Sequence, residues 1–117
     1  LPSGPRILVT HYPVTRASGK LEFATHRLSD VHDLAETARE GGVDLWLHGH
    51  VHRPYKLEST FLTPFPVICA GSSTQTRRWS YFEYTLTGHH LRAVRRTYSL
   101  ETGTFRDDES FEIVLPG

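Results

Sequence analysis

Three short apolar runs, spaced along the first seventy residues, limit this chain more than any other feature. They are Ile7-Leu8-Val9-Thr10, Val43-Asp44-Leu45-Trp46-Leu47 and Pro66-Val67-Ile68-Cys69-Ala70-Gly71. Continuous runs of this length suit strands buried on both faces of a sheet. Between the first two, Val31, Leu34, Ala35 and Ala38 recur at spacings of three and four, which makes one apolar helical stripe. Ser29 or Asp30 is placed to cap its start, and Gly41-Gly42 to end it with a left-handed residue. Strand, loop, helix, strand is the order of a crossover unit, so the first two strands are expected to be parallel. Residues 14–28 form a polar loop between them.

The second half reads differently. Tyr81-Phe82-Glu83-Tyr84-Thr85-Leu86 alternates, with Phe82, Tyr84 and Leu86 on one face. Thr87-Gly88-His89 marks a turn and residues 91–100 a return strand. A second turn at Glu101-Thr102-Gly103-Thr104 precedes a last strand over Phe111–Leu115. The fold class expected is therefore mixed α/β (α+β). It forms a single domain over residues 1–117, or the C-terminal portion of a larger one.

Composition removes several function classes. Lys+Arg and Asp+Glu each number 13, so there is no basic excess to indicate nucleic acid. No apolar run reaches the roughly 18 residues of a membrane helix. One cysteine, Cys69, excludes an internal disulfide and fits a reducing, cytoplasmic setting. It lies between Ile68 and Ala70, as a small core residue would. The chain has no Met and opens on Leu1, so it reads as a fragment or processed piece.

The eight histidines are high for this length, and imidazole is the commonest metal ligand. His48-Gly49-His50-Val51-His52 follows a buried strand directly, where ligands collect in open α/β sheets. On an extended backbone His50 and His52 project to the same side. His11 ends the first strand, so parallel strands would bring three neutral imidazoles to one edge, a donor set for a divalent transition metal. A mononuclear three-His zinc enzyme is one chemistry compatible with that set. His48 is a candidate to orient a ligand or contact phosphate, and Arg16 and Arg27, with Lys20 and His26, lie in the loop after His11. Arg77-Arg78, Arg92, Arg95 and Arg96 are offset by Asp107-Asp108-Glu109 and read as solvated surface.

The strings Leu8-Val9-Thr10-His11-Tyr12-Pro13, Arg27-Leu28-Ser29-Asp30 and Gly42 through Pro54, with its Gly49-His50-Val51-His52, together resemble the calcineurin-like metallophosphoesterases. The resemblance covers nearly the whole chain and implies a two-layer β-sandwich flanked by a helix. It implies a dinuclear site in which His11 and His50 hold one metal and His52 the other, the metals being a pairing of Mn, Fe, Zn or Ni. The implied activity is hydrolysis of phosphomonoesters or phosphodiesters, a metal-bound hydroxide attacking phosphorus in line.

Departures from the family are equally informative. The chain has no Asn and no Gly-Asp pair, so two of the family's ligand motifs are missing, and Asp30-Val31-His32 opens a helix where the third should follow a strand. The bridging Asp and the phosphate-contacting His are therefore expected outside this chain. What remains resembles the C-terminal half of an intracellular hydrolase, inactive alone, with the N-terminal half in cis or on another chain. The alternative is a phosphoesterase-like fold that has lost catalysis and serves as a binding scaffold.

Overall fold

The computed structural model describes residues 4–23, 28–77 and 79–116. Eight elements follow in order: β1 (Ile7–Thr10), α1 (Val31–Glu40), β2 (Leu45–His48), β3 (Tyr55–Leu57), β4 (Val67–Cys69), β5 (Ser80–Thr87), β6 (His90–Ser99) and β7 (Thr104–Val114). They form a four-stranded sheet in the order β1-β2-β4-β3 and a three-stranded antiparallel sheet β5-β6-β7. β1, β2 and β4 run parallel, and β3 returns antiparallel along β4. The crossover unit is thus present.

Two apolar clusters hold three layers together. On one face of the first sheet, Val31, Ala35 and Ala38 of α1 bury against Trp46 and Val67, with Val14 and Phe65 closing the space. On the other face, Leu45 and Ile68 meet Leu91 and Ile113 of the second sheet and Leu115 just beyond it. The period-two alternation of β2 divides its side chains between these clusters: Leu45 goes to the sheet–sheet seam and Trp46 to the helix. Trp46 also donates its indole N–H to Thr10 Oγ1 at 2.9 Å, across to β1. Gly42, at φ 73°, turns the chain out of α1 in the left-handed conformation.

Several expectations are corrected. β1 is an edge strand, not one buried on both faces, and Val9 is 68% exposed. β3 has no counterpart among the expected strands. β7 starts at Thr104, seven residues before Phe111, so Asp107-Asp108-Glu109 lie within a strand. Their setting is ordered: Arg95 donates to Asp108 at 2.7 Å, and Arg96 approaches Asp107 at 3.5 Å. Cross-strand pairing of opposite charges explains how so polar a segment holds an extended form. Phe82 and Tyr84 share a face and stack, as the alternation requires, but Leu86 is largely exposed. Leu1, Arg27, His26 and Arg78 lie outside the described residues.

No helix among the described residues is long and apolar enough to cross a membrane. The seam between the sheets should dominate stability. Ile68→Ala removes a fully buried side chain there and should cost about 2–5 kcal/mol, whereas Val9→Ala on the exposed edge should stay within about 0.5 kcal/mol. Urea unfolding of the two variants checks the contrast, and equal losses would show the seam is not the main core.

Candidate metal centre

The parallel register places Thr10 of β1 level with His48 of β2, and His48 level with Cys69 of β4. The residues that follow therefore emerge at one rim. Gly49 N donates to His11 O at 3.0 Å, which ties the two strand ends together beyond the last paired residues. His50 then adopts φ 68°, a left-handed conformation uncommon for a non-glycine residue. The turn swings its ring back over β1.

The outcome is a close imidazole pair. His50 Nδ1 lies 3.2 Å from His11 Nε2, with the rings edge to face and 5.1 Å between centroids. Tyr12 packs against both rings, at 4.7 Å from His50 and 5.1 Å from His11. Two imidazole nitrogens on one tetrahedral cation, each about 2.0–2.1 Å from it, stand about 3.3 Å apart. The observed separation matches that bite, and it also permits one ring to donate a hydrogen bond to the other. A chelating form would keep this separation and re-aim the two nitrogens from one another toward a shared point.

His52 lies elsewhere. The left-handed turn at His50 breaks the extended backbone on which a shared direction for His50 and His52 depended. His52 is exposed and lines a cavity between its own loop and the second sheet. Among the described residues no group of three His, Cys, Asp or Glu side chains gathers around one point. The structure thus brings together two of the three sequence candidates.

His48 sits beneath the rim, 2% exposed, on the helix side of the sheet. Its Nδ1 contacts Gly49 O at 2.9 Å and its Nε2 contacts Tyr55 Oη at 2.9 Å, while Tyr55 also donates to Thr15 O at 2.7 Å. With Nδ1 protonated and Nε2 bare, the single phenol proton is shared between Thr15 O and His48 Nε2. Burial lowers the His48 pKa; the Gly49 carbonyl and the Glu22 carboxylate act in the opposite sense. Burial likewise raises the Tyr55 phenol well above its ordinary range. Nothing in the spacing of Tyr55 or Glu22 announced this buried network, because its members are spread over β2, β3 and the loop after β1.

Cys69 is a core residue, and it does more than fill space. Its thiol donates to Val51 O at 3.1 Å, pinning the loop that carries His50 and His52, and burial raises its pKa. Gly71, at φ 76°, lets Pro54 lie against it; a Cβ there would come within 3.0 Å of Pro54 Cδ. Arg16 is committed within its own loop. It donates to Leu21 O at 3.2 Å and lies 4.8 Å over the ring of Phe23.

A mixed parallel sheet with a helix on one face, an antiparallel sheet on the other and His-bearing strand ends at one rim defines a metallophosphoesterase-like fold. Solved structures of Vps29 share it. Vps29 of Chaetomium thermophilum superposes with a TM-score of 0.62 at 20% identity, over 99% of this chain and 59% of that one. A double mutant of Vps29 from Entamoeba histolytica does so with a TM-score of 0.51 at 18% identity, over 75% of this chain and 48% of that one. The chain therefore spans about half to three-fifths of the length of these neighbours. No protein-family model matches the sequence, and a search of characterised proteins returns no match.

Two consequences follow for the rim. His48 has a folded-state pKa below its unfolded value of about 6.5, so the unfolded chain takes up the proton first as pH falls. Its contribution to stability should be complete above that pH and decline below it. Chemical unfolding between about pH 7.5 and pH 5 should show a shallower decline in His48→Gln than in the wild type. An unchanged slope would mean that His48 does not titrate with folding. Separately, Tyr55→Phe strips the donor from Thr15 O and His48 Nε2 and should cost about 1–3 kcal/mol. A thermal melt reads that loss, and an unshifted midpoint would show that water replaces the hydroxyl.

Proposed function

We propose that this chain is the metal-gripping segment of a phosphoesterase-like fold, in which His11 and His50 chelate one divalent cation, and that by itself it binds and does not hydrolyse. The 3.2 Å approach of His11 Nε2 to His50 Nδ1 carries this reading. Two neutral imidazoles favour a borderline-soft transition metal such as Zn or Ni, or Mn or Fe with added oxygen ligands, over Mg or Ca. They hold it weakly, because a stable site takes three or four protein donors.

The same reading gives His52 to a second cation, for which its loop would have to turn the ring from the cavity it lines toward the rim. Two divalent ions a few ångströms apart repel strongly and need a shared anion. Bridging carboxylates would come from a further stretch of the fold, in cis or on another chain, which agrees with the 59% coverage of the Chaetomium structure. On this view the chain works as a binding scaffold with protein partners in a cytoplasmic setting, which a chain with a single cysteine suits.

A catalytic reading is favoured by one observation, the left-handed His50. Sparsely populated backbone conformations at non-glycine residues concentrate at functional sites. Once complemented, the segment would serve a hydrolase of phosphomonoesters or phosphodiesters, the bound cation supplying Lewis-acid polarisation of the phosphoryl oxygens. Here His11 and His50 would hold the cation, with Tyr12 packed against both rings. A self-contained three-His zinc site is the weaker reading, since His52 faces another cavity.

Calorimetric titration of the chain with Zn²⁺ or Mn²⁺, run beside hydrolysis of a nitrophenyl phosphodiester, tests the proposal. One cation should bind per chain, with affinity reduced about tenfold or more in His11→Ala or His50→Ala, and turnover should stay at the level of metal in buffer. Robust turnover that disappears in His50→Ala would replace the scaffold with a complete hydrolase. Failure to bind any cation would remove both readings.

A further inference from the structure

The cavity that His52 faces lies in the seam between the His50–Pro54 loop and the second sheet, with a volume of about 320 Å³. Arg53 enters it from the loop, Ser80 from β5, Arg95 and Thr97 from β6, and Asp108 from β7. Its donors outnumber its acceptors. Two guanidiniums face one carboxylate, and that carboxylate is already engaged: Arg95 donates to Asp108 Oδ2 at 2.7 Å and Thr97 Oγ1 donates to the same oxygen at 3.1 Å. Glu109 reaches Arg95 only at 3.9 Å, from a largely exposed position. Arg53 makes no hydrogen bond or ion pair among the described residues, and hydroxyls of Ser80 and Thr97 lie alongside.

We infer that this seam is an anion-binding site, separate from the imidazole pair, which takes a phosphate group. Arg53 supplies the uncompensated charge. Arg95 supplies a second guanidinium already fixed in place, and Asp108 acts as its resident counter-ion, which an arriving phosphate must displace or share. Guanidinium forks match phosphate oxygens in pairs, which is why two of them lining one recess favour this ligand over a lone chloride. The volume accommodates a phosphate with part of the group it is esterified to. His52 joins the seam to the rim, since only Val51 separates it from His50. A phosphate-bearing ligand anchored here would extend toward the imidazole pair. That last step, a substrate-selecting role, rests on the phosphoesterase-like reading above; the anion site does not.

The test is titration of the EDTA-treated chain with inorganic phosphate, followed by amide NMR. Saturable shifts are expected at residues 52–54 and 95–97. Arg53→Ala should weaken binding about tenfold. Asp108→Asn, which removes the closer of the two carboxylates on Arg95, should tighten it several-fold, a gain that a merely structural Asp108 would not give. His11→Ala should leave phosphate affinity unchanged, so loss of metal binding with phosphate binding intact would strike only the metal reading. No saturable shift, shifts confined to residues 11 and 49–51, or an Arg53→Ala chain that binds as the wild type does would each overturn the inference. Arg53 is exposed, so its replacement tests the site without threatening the fold.

Discussion

One hydrogen bond, Gly49 N to His11 O, fixes everything that happens at the rim. The parallel pairing of Ile7–Thr10 with Leu45–His48 brings two strand ends level, but pairing stops there. Without a further tie the segments beyond would diverge, because each strand leads into a loop of different length and direction. The bond carries the alignment one residue further on each side, and only then does the left-handed His50 bring its ring against His11. The thiol of Cys69 secures the same loop from below through Val51 O. A parallel sheet thus delivers two imidazoles to one place from residues 39 apart in sequence.

Beneath this, the layers are rigid for simple reasons. Trp46 and Ile68 lie on opposite faces of the first sheet, both fully buried, one against the helix and one against the second sheet. A sheet clamped on both faces cannot shear easily, so the rim inherits its stiffness from close packing beneath it. The His48–Tyr55–Thr15 chain of hydrogen bonds extends that stiffness to the loop after β1 and to β3.

Much of this was legible in the residues. Apolar runs at 7–10, 43–47 and 66–71 located three strands, and the stripe from Val31 to Ala38 located the helix, because burial on a sheet or under a helix demands those periods. Tyr55-Lys56-Leu57 escaped notice, since three residues are too few to show alternation. The first half of β7 escaped because Asp107, Asp108 and Glu109 read as surface; their strand form depends on arginines of the neighbouring strand, which no local window contains. The rim was legible in part. His11 and His50 follow from strand order and register, but the position of His52 turned on one φ angle, and a single left-handed residue leaves no periodic trace.

The first strand has a further consequence. Among the described residues β1 pairs only with β2, so its outer row of amides and carbonyls is unclaimed, and Ile7 and Val9 stand exposed on it with no charged residue between Arg6 and His11. Most proteins blunt such a border with lysine, proline or a bulge. Among the described residues β1 carries none of these, and an unpaired hydrophobic edge is a template for another extended strand. Concentrated solutions of the chain would drift toward stacked, ribbon-like assemblies unless something claims that border first.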